Sequence, residues 1–366
     1  MKQKEEYMKL ALELAKKGKG STNPNPMVGA VVVKDGNIIG QGYHEQYGQP
    51  HGERNALQHC EKDPAGGELY VTLEPCHHYG KTPPCTEIIL QKGIKKVYVG
   101  SLDPNPLVSG KGLEFLKSHG ITVETGILKE ECDAINEVFF HYISTGTPYV
   151  VMKYAMTADG KIATVTGESR WITGEQARHK VHETRRECMA IMVGIGTVLA
   201  DNPMLNCRIP QGKNPLRIIC DSRLRISLDS DIVKTAREIP TIVATACENS
   251  EKQKALQALG VEVLQLPNSS GKVDLSALMA ELGKRNIDSL LLEGGGELNF
   301  AALQAGIVQE LQVYVAPKIF GGAGAKFPVA GEGIADIHQA FLLQLKEVTP
   351  IGEDIFLRYH VAKRRG

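Results

Sequence analysis

His51-Gly52-Glu53 and Glu74-Pro75-Cys76, with Cys85 nine residues later, constrain this chain more than any other stretch. One His nitrogen and two Cys sulfurs form a ligand set suited to zinc. Three protein ligands leave a tetrahedral ion a fourth position for water. A metal at such a site lowers the pKa of its water toward about 7, and a neighbouring carboxylate can then carry protons. His51, Cys76 and Cys85 are therefore the expected ligands of one zinc per chain, and Glu53 the expected acid–base group. A structural zinc needs a fourth ligand, and the nearest candidates are His59, Cys60, His77 and His78. A helix starting near His51 puts Glu53 on a different angular face, so only one of the two need bind metal. Cys85 opens a second expected helix, whose positive end favours a thiolate there.

At 366 residues, 42% of them hydrophobic, the chain is long enough for two domains with a core in each. Residues 1–147 carry 16 Lys and Arg against 18 Asp and Glu, which leaves 26 against 24 for residues 148–366. Neither half is basic, so a long nucleic acid is not an expected partner. No apolar run reaches about 18 residues, so no membrane span is expected. The first residues lack the apolar core of a signal peptide. The eight cysteines are scattered, as in a reduced cytoplasmic protein.

The pattern along the chain is of alternating strands and helices, an α/β layer fold. In the first half the expected elements are helix 7–17, strands 28–33 and 38–40 joined by Asp35-Gly36, and a helix from 51 to 60. Strand 69–73, helix 86–92, strand 96–99, helix 113–119 and strand 121–124 follow. Thr145-Gly146-Thr147-Pro148 reads as a linker between domains 1–147 and 148–366. In the second half the expected strands are 149–156, 190–193, 216–220, 241–245, 289–292 and 310–315, with helices 175–187, 251–259 and 298–305. Glycine turns at strand ends, Gly194 to Thr197 and Gly294-Gly295-Gly296, let a phosphate approach the backbone or serve only as tight turns. No G-x-G-x-x-G fingerprint is present.

H-x-E followed by P-C and a second Cys is the signature of zinc nucleobase deaminases. Cys76-His77-His78-Tyr79-Gly80-Lys81-Thr82-Pro83-Pro84-Cys85, Asn23-Pro24-Asn25-Pro26-Met27-Val28-Gly29 and Asp103-Pro104-Asn105-Pro106 narrow it further. They resemble the bifunctional diaminohydroxyphosphoribosylaminopyrimidine deaminase / 5-amino-6-(5-phosphoribosylamino)uracil reductase family of riboflavin biosynthesis. The resemblance implies a cytidine-deaminase-like three-layer domain followed by a dihydrofolate-reductase-like domain. It implies zinc-hydroxide attack on the pyrimidine carbon bearing the exocyclic amine, with Glu53 moving the proton. Asn25, His44, His78 and Lys81 would contact that substrate. Gly52 stands where the family usually has Ala, and the missing methyl is expected to loosen the pocket wall. Arg54 and His77 also depart from the pattern.

The resemblance continues through Ala155-Met156-Thr157-Ala158-Asp159-Gly160-Lys161, Ser169-Arg170-Trp171-Ile172-Thr173, Ala200-Asp201-Asn202-Pro203 and Glu293-Gly294-Gly295-Gly296. It implies NADPH as the second cofactor and hydride transfer to the ring-opened ribose. Ala155, Trp171, Thr197, Asp201, Ser222, Gly295 and Gly296 would contact NADPH. Ser169, Arg185, Leu205, Arg208 and Glu293 would contact the substrate, with Arg208 or Arg185 on its phosphate. Lys153 and Glu293 are placed at the sugar carbon as proton donor and orienter. Small phosphoribosyl pyrimidines are the expected partners, with no nucleic acid and no membrane, and a homo-oligomer is the expected assembly.

Overall fold

The computed structural model describes residues 2–80, 82–105, 108–210 and 212–362, so Lys81 and Pro106 lie outside the described residues. The chain forms two compact units, Met1–Gly146 and Thr147–Gly366. Among the described residues no helix is long and apolar enough to cross a membrane.

The first unit runs α1 (Lys2–Lys16), β1 (Gly29–Lys34), β2 (Asn37–Tyr43), α2 (Gly52–Gln58), β3 (Glu68–Leu73) and α3 (Cys85–Gln91). It continues with β4 (Lys96–Ser101), α4 (Lys111–Ser118), β5 (Thr122–Thr125), α5 (Lys129–Ile135) and α6 (Glu137–Thr145). Its sheet has the order β2-β1-β3-β4-β5. β1 is antiparallel to β2 and β3, whereas β3, β4 and β5 are parallel. Period-two alternation sends neighbouring residues to opposite faces. Ala30, Val32, Leu69 and Val71 pack with α2, α3 and α4, whereas Val31, Val33, Tyr70 and Tyr98 pack with α1 and α5. The result is three layers, helix on sheet on helix.

Gly29 shows how closely α1 sits on β1. A Cβ there would lie 1.9 Å from the Ala11 carbonyl oxygen and 2.7 Å from the Ala15 nitrogen. Only glycine lets helix backbone rest on strand backbone at this point.

The second unit comprises β6 (Tyr149–Thr157), α7 (Glu175–Glu187), β7 (Ala190–Gly194), α8 (Ile195–Asp201), β8 (Leu216–Cys220) and α9 (Asp231–Lys234). Then come β9 (Thr241–Thr245), α10 (Ser250–Ala258), β10 (Glu262–Gln265), α11 (Leu275–Lys284), β11 (Ser289–Leu292) and α12 (Gly296–Gln304). β12 (Glu310–Ala316), β13 (Leu343–Ile351) and β14 (Asp354–Val361) close the unit. The nine-stranded sheet has the order β10-β9-β8-β7-β11-β6-β12-β14-β13. All its pairings are parallel except β12 with β14 and β14 with β13. Val150, Met152, Met192, Ile218, Leu290 and Leu292 form one core with α11 and α12.

The expected elements recur within a few residues, but several elements carried no expectation. The hairpin β13–β14 presents Leu343, Leu345, Val348 and Ile355 to solvent, while Phe356 is buried against Tyr314. Gly194 to Thr197 is not a loop, because α8 begins at Ile195. α11 has a readable start in Asp274, whose side chain accepts the Ala277 N–H at 2.9 Å.

Gly29→Ala is expected to force α1 off the sheet and cost roughly 1–3 kcal/mol of stability. A urea midpoint unchanged from the parent would contradict the close packing of helix on strand.

Candidate active sites

The first site is built at the C-terminal end of β3 and the starts of two helices. Glu74, Pro75 and Cys76 leave β3, and His51 and Cys85 stand at the beginnings of α2 and α3. His51 Nδ1 lies 3.5 Å from Cys76 Sγ and 3.5 Å from Cys85 Sγ. Tetrahedral zinc, with bonds of about 2.05 Å to nitrogen and 2.3 Å to sulfur, separates those atoms by about 3.5 Å. The donor set therefore fits the ion in both chemistry and spacing. Among the described residues these three form the metal-ligating cluster. The possible fourth ligands point elsewhere. His77 stacks on Phe115 and bonds Thr86 Oγ1 at 2.9 Å, while His59 and Cys60 bond backbone carbonyls of their own helix.

Two local expectations need correction. The helix end at α3 serves Cys76 rather than Cys85, since the Cys85 backbone N–H donates to Cys76 Sγ at 3.4 Å. The hydrogen bond from the Cys85 thiol, together with His51, draws the Cys76 thiol well down, and the same contact with burial pushes Cys85 up. Gly52 does not loosen the wall either. An added Cβ would meet the Val28 carbonyl oxygen at 2.6 Å and Tyr43 Cα at 3.3 Å, so backbone already fills that space.

Glu53 is 2% exposed, and its Oε2 has no hydrogen-bond partner. Burial pushes its carboxyl up to about 7, against the pull of His51. His44 is buried edge-on to His51, with ring centroids 5.2 Å apart. Its Nδ1 lies 3.1 Å from the Pro50 carbonyl and its Nε2 lies 3.3 Å from Asn25 Nδ2. The carbonyl must accept, so Nδ1 carries the hydrogen and Nε2 accepts from Asn25. Burial lowers the His44 pKa and keeps the ring neutral. His78 is exposed, with Asp103 as its electrostatic neighbour. Arg54 donates to the carbonyls of Pro83 at 3.3 Å and Pro84 at 3.5 Å, just before Cys85.

The second site lies at the strand ends of the nine-stranded sheet. Lys153 on β6 approaches Glu293, just past β11, at 3.2 Å. Arg185 on α7 grips the same carboxylate through Nε at 2.8 Å and Nη2 at 2.9 Å, and gives Nη1 to the Asn206 carbonyl at 3.0 Å. Burial alone would raise the Glu293 pKa, but the two cations outweigh it and hold the carboxyl well below the usual range. Arg185 commits three of its five N–H donors to Glu293 and Asn206, whereas Arg208 is exposed. Beside them His182, missed from the sequence, accepts the Arg208 backbone N–H at 3.3 Å. Burial and then Arg185 and Arg208 lower its pKa to about 4.

A cavity of about 890 Å³ runs along the same strand ends, lined by Ser169, Thr197, Asp201, Ser222, Gly295 and Gly296 among others. Ala155 and Trp171 do not line it. Trp171 is exposed and lies against Arg178, 4.8 Å from its ring centroid. Leu205 is buried on a left-handed backbone, next to Met204, whose carbonyl accepts from the buried Arg217 at 3.2 Å. The sequence offered no signal for Asn206 or His182, which only the fold brings beside Arg185 and Arg208.

The model of the cytidine and deoxycytidylate deaminase zinc-binding region matches residues 1–101, and the RibD C-terminal domain matches residues 148–357. A riboflavin biosynthesis protein RibD from Actinobacillus pleuropneumoniae is 56% identical over 97% of this chain and 95% of its own. The chain belongs to the RibD family. Acinetobacter baumannii RibD superposes with a TM-score of 0.88 at 39% identity, covering 99% of both chains. The Thermotoga maritima structure, titled a diaminohydroxyphosphoribosylaminopyrimidine deaminase / 5-amino-6-(5-phosphoribosylamino)uracil reductase, gives 0.88 at 40% identity, also over 99% of both. As a RibD, the chain is a bifunctional deaminase and reductase of riboflavin biosynthesis acting on small molecules, with zinc and NADPH as its cofactors.

Gly52→Ala is expected to displace α2 from the Val28 backbone and cost roughly 1–3 kcal/mol; a more stable variant would show that the wall has room. Glu293→Gln leaves two buried cations underpaired and is expected to cost roughly 3–5 kcal/mol. Because the folded pKa is depressed from 4.5, this contribution is complete above that pH and fades as acid approaches the folded value. Denaturation curves should therefore separate parent from variant at neutral pH and converge in acid. A gap that widens in acid would contradict the pairing.

Proposed function

We propose that residues 1–147 deaminate 2,5-diamino-6-(5-phosphoribosylamino)pyrimidin-4-one and that residues 148–366 then reduce 5-amino-6-(5-phosphoribosylamino)uracil to its ribityl form. The observation that carries the first step is Glu53, a buried carboxyl near pKa 7 with an unpartnered oxygen beside the ligand cluster. Zinc held by His51, Cys76 and Cys85 supplies a Lewis acid that makes water nucleophilic at neutral pH. Glu53 takes the proton from that water and returns it to the leaving amine, a role for which a pKa close to the working pH is best. His44 holds Asn25 by its amide nitrogen, which leaves Asn25 Oδ1 to accept from the ring. His78 and Lys81 serve the ribose-phosphate side.

In the second step bound NADPH would be the source of the hydride that C1′ of the opened ribose accepts. Lys153 gives the matching proton to the imine nitrogen, and Glu293 fixes the ammonium's direction. Arg185 spends its donors keeping Glu293 in place, so Arg208 takes the substrate phosphate. Thr197, Gly295 and the start of α12 receive the cofactor phosphates, where N–H groups and the helix dipole favour anions. The absence of a side chain at Gly295 supports this, since an added Cβ would touch nothing nearer than Thr197 Oγ1 at 4.0 Å. Asp201 and Ser222 complete the cofactor contacts, and Ser169 and Leu205 the substrate contacts.

We place the enzyme in the cytoplasm as a homo-oligomer. All eight cysteines are free, in keeping with a reducing compartment. β13 ends the sheet with exposed Leu343, Leu345 and Val348, an edge that a second copy could cover.

A pair of variants tests the division of labour. Glu53→Gln should keep its zinc by metal analysis and lose ammonia release by roughly 10²–10⁴-fold, the usual scale of general acid–base catalysis. Lys153→Ala should release ammonia normally and oxidise NADPH poorly. Loss of both activities in either folded variant would contradict the assignment.

A further inference from the structure

We propose that Asn136 is a positioning residue for the deamination, which sets Asn25 against the substrate by clamping the backbone of Met27. This rests on the reading of Asn25 as a substrate contact. Asn136 is 2% exposed and lies 109 residues beyond Met27 in the chain. Its Oδ1 accepts the Met27 N–H at 2.8 Å, and its Nδ2 donates to the Met27 carbonyl at 3.0 Å. One side-chain amide thus pairs both backbone polar groups of one residue, as a neighbouring strand would. The pair also fixes which end of the amide is oxygen, because the N–H only donates and the carbonyl only accepts.

Asn136 stands at the break between two helices, closing α5 and preceding α6. An Asn before a helix usually turns its side chain onto the first free N–H groups. Here the side chain caps neither helix, and its hydrogen bonds go to Met27 instead. The break itself is well anchored. Its N–H donates to the Asp133 carbonyl and its carbonyl accepts the Phe140 N–H, both at 2.9 Å. Cys132 and Ile135 pack with α1 on one face of the sheet, and Phe139, Phe140 and Ile143 pack in the core on the other. Met27, by contrast, lies in the irregular lead-in to β1. Its neighbours bear on the site. Asn25 Nδ2 lies 3.3 Å from His44 Nε2, and the Val28 carbonyl accepts the His44 backbone N–H at 2.8 Å. The Asn25 N–H donates to the Thr22 carbonyl at 2.8 Å. The segment that carries Asn25 is therefore tied at both ends. The tie at Thr22 is local, whereas the tie at Met27 reaches it from the α5–α6 break. Without that second tie the Met27 N–H and carbonyl turn to water, and Asn25 loses its fixed place beside His44. An error of about 1 Å in such a group is enough to slow a reaction on the order of 10²-fold.

The test is a double-mutant cycle on the full-length zinc enzyme, read as ammonia release from the diaminopyrimidine. Zinc content and NADPH oxidation on the deaminated uracil report whether each variant is folded. Asn25→Ala and Asn136→Ala should each lower kcat/KM for ammonia release by roughly ten- to a hundredfold, with zinc and NADPH oxidation at parent values. The double variant should match Asn25→Ala alone to within about twofold, because Asn136 acts through Asn25. Asn136→Asp keeps the acceptor for the Met27 N–H and loses the donor to its carbonyl, so its loss should be smaller than that of alanine. It takes the place of Asn136→Ala in the cycle if the alanine variant does not fold. Losses that multiply in full, or loss of zinc from a folded Asn136 variant, would overturn the positioning role and leave Asn25 as a substrate contact. Unchanged ammonia release in Asn25→Ala would overturn both.

Discussion

Parallel strands that end along a common edge are the constraint on which both sites depend. A parallel sheet leaves its carboxyl edge to loops, and the helices that follow start there with unpaired N–H groups. In the first unit that edge delivers Cys76 from β3 to the starts of α2 and α3, where His51 and Cys85 stand. In the second it delivers Glu293 from β11, Gly194 from β7 and Ser222 from β8 to one cavity and one ion cluster. Neither site could be assembled from a contiguous stretch of chain. The close seating of α1 on β1 at Gly29, and of α2 on the Val28 carbonyl at Gly52, keeps the first of these edges in position.

Two glutamates, Glu53 in the first unit and Glu293 in the second, are treated in opposite ways. Burial outweighs the pull of His51 on Glu53 and lifts its carboxyl to about 7. Glu293 is less deeply buried, and Arg185 and Lys153 reverse the sign of the shift. A carboxyl near neutrality can both take and return a proton. One held far below neutrality cannot, and it serves instead as an anchor that aims two cations. The division between a hydrolytic site, which needs a proton shuttle, and a reductive one, which needs alignment of cofactor and substrate, follows from that difference.

The zinc cluster was legible because metal chemistry restricts residue type and because its ligands fall at helix starts that the sequence marks. The strands at 216–220, 241–245 and 289–292 were legible because β-branched and leucine runs bounded by turns leave few alternatives. Gly52 was misjudged because a missing methyl reads as space in sequence, whereas backbone fills it in the fold. Arg208 or Arg185 is the expected phosphate ligand for its forked donors, and only the structure shows one fork of Arg185 engaged by Glu293. The hairpin β13–β14 escaped because β13 is mostly exposed and its leucines lie on the solvent side.

Selective removal of zinc tests the account of two separate chemistries in one chain most directly. Ammonia release from the diaminopyrimidine substrate, and NADPH oxidation supplied directly with the deaminated uracil, would be followed side by side before and after chelation. The account predicts that chelation stops the first and leaves the second at its original rate, and that added zinc restores the first. Loss of NADPH oxidation on the uracil under chelation, or ammonia release that continues without metal, would contradict it.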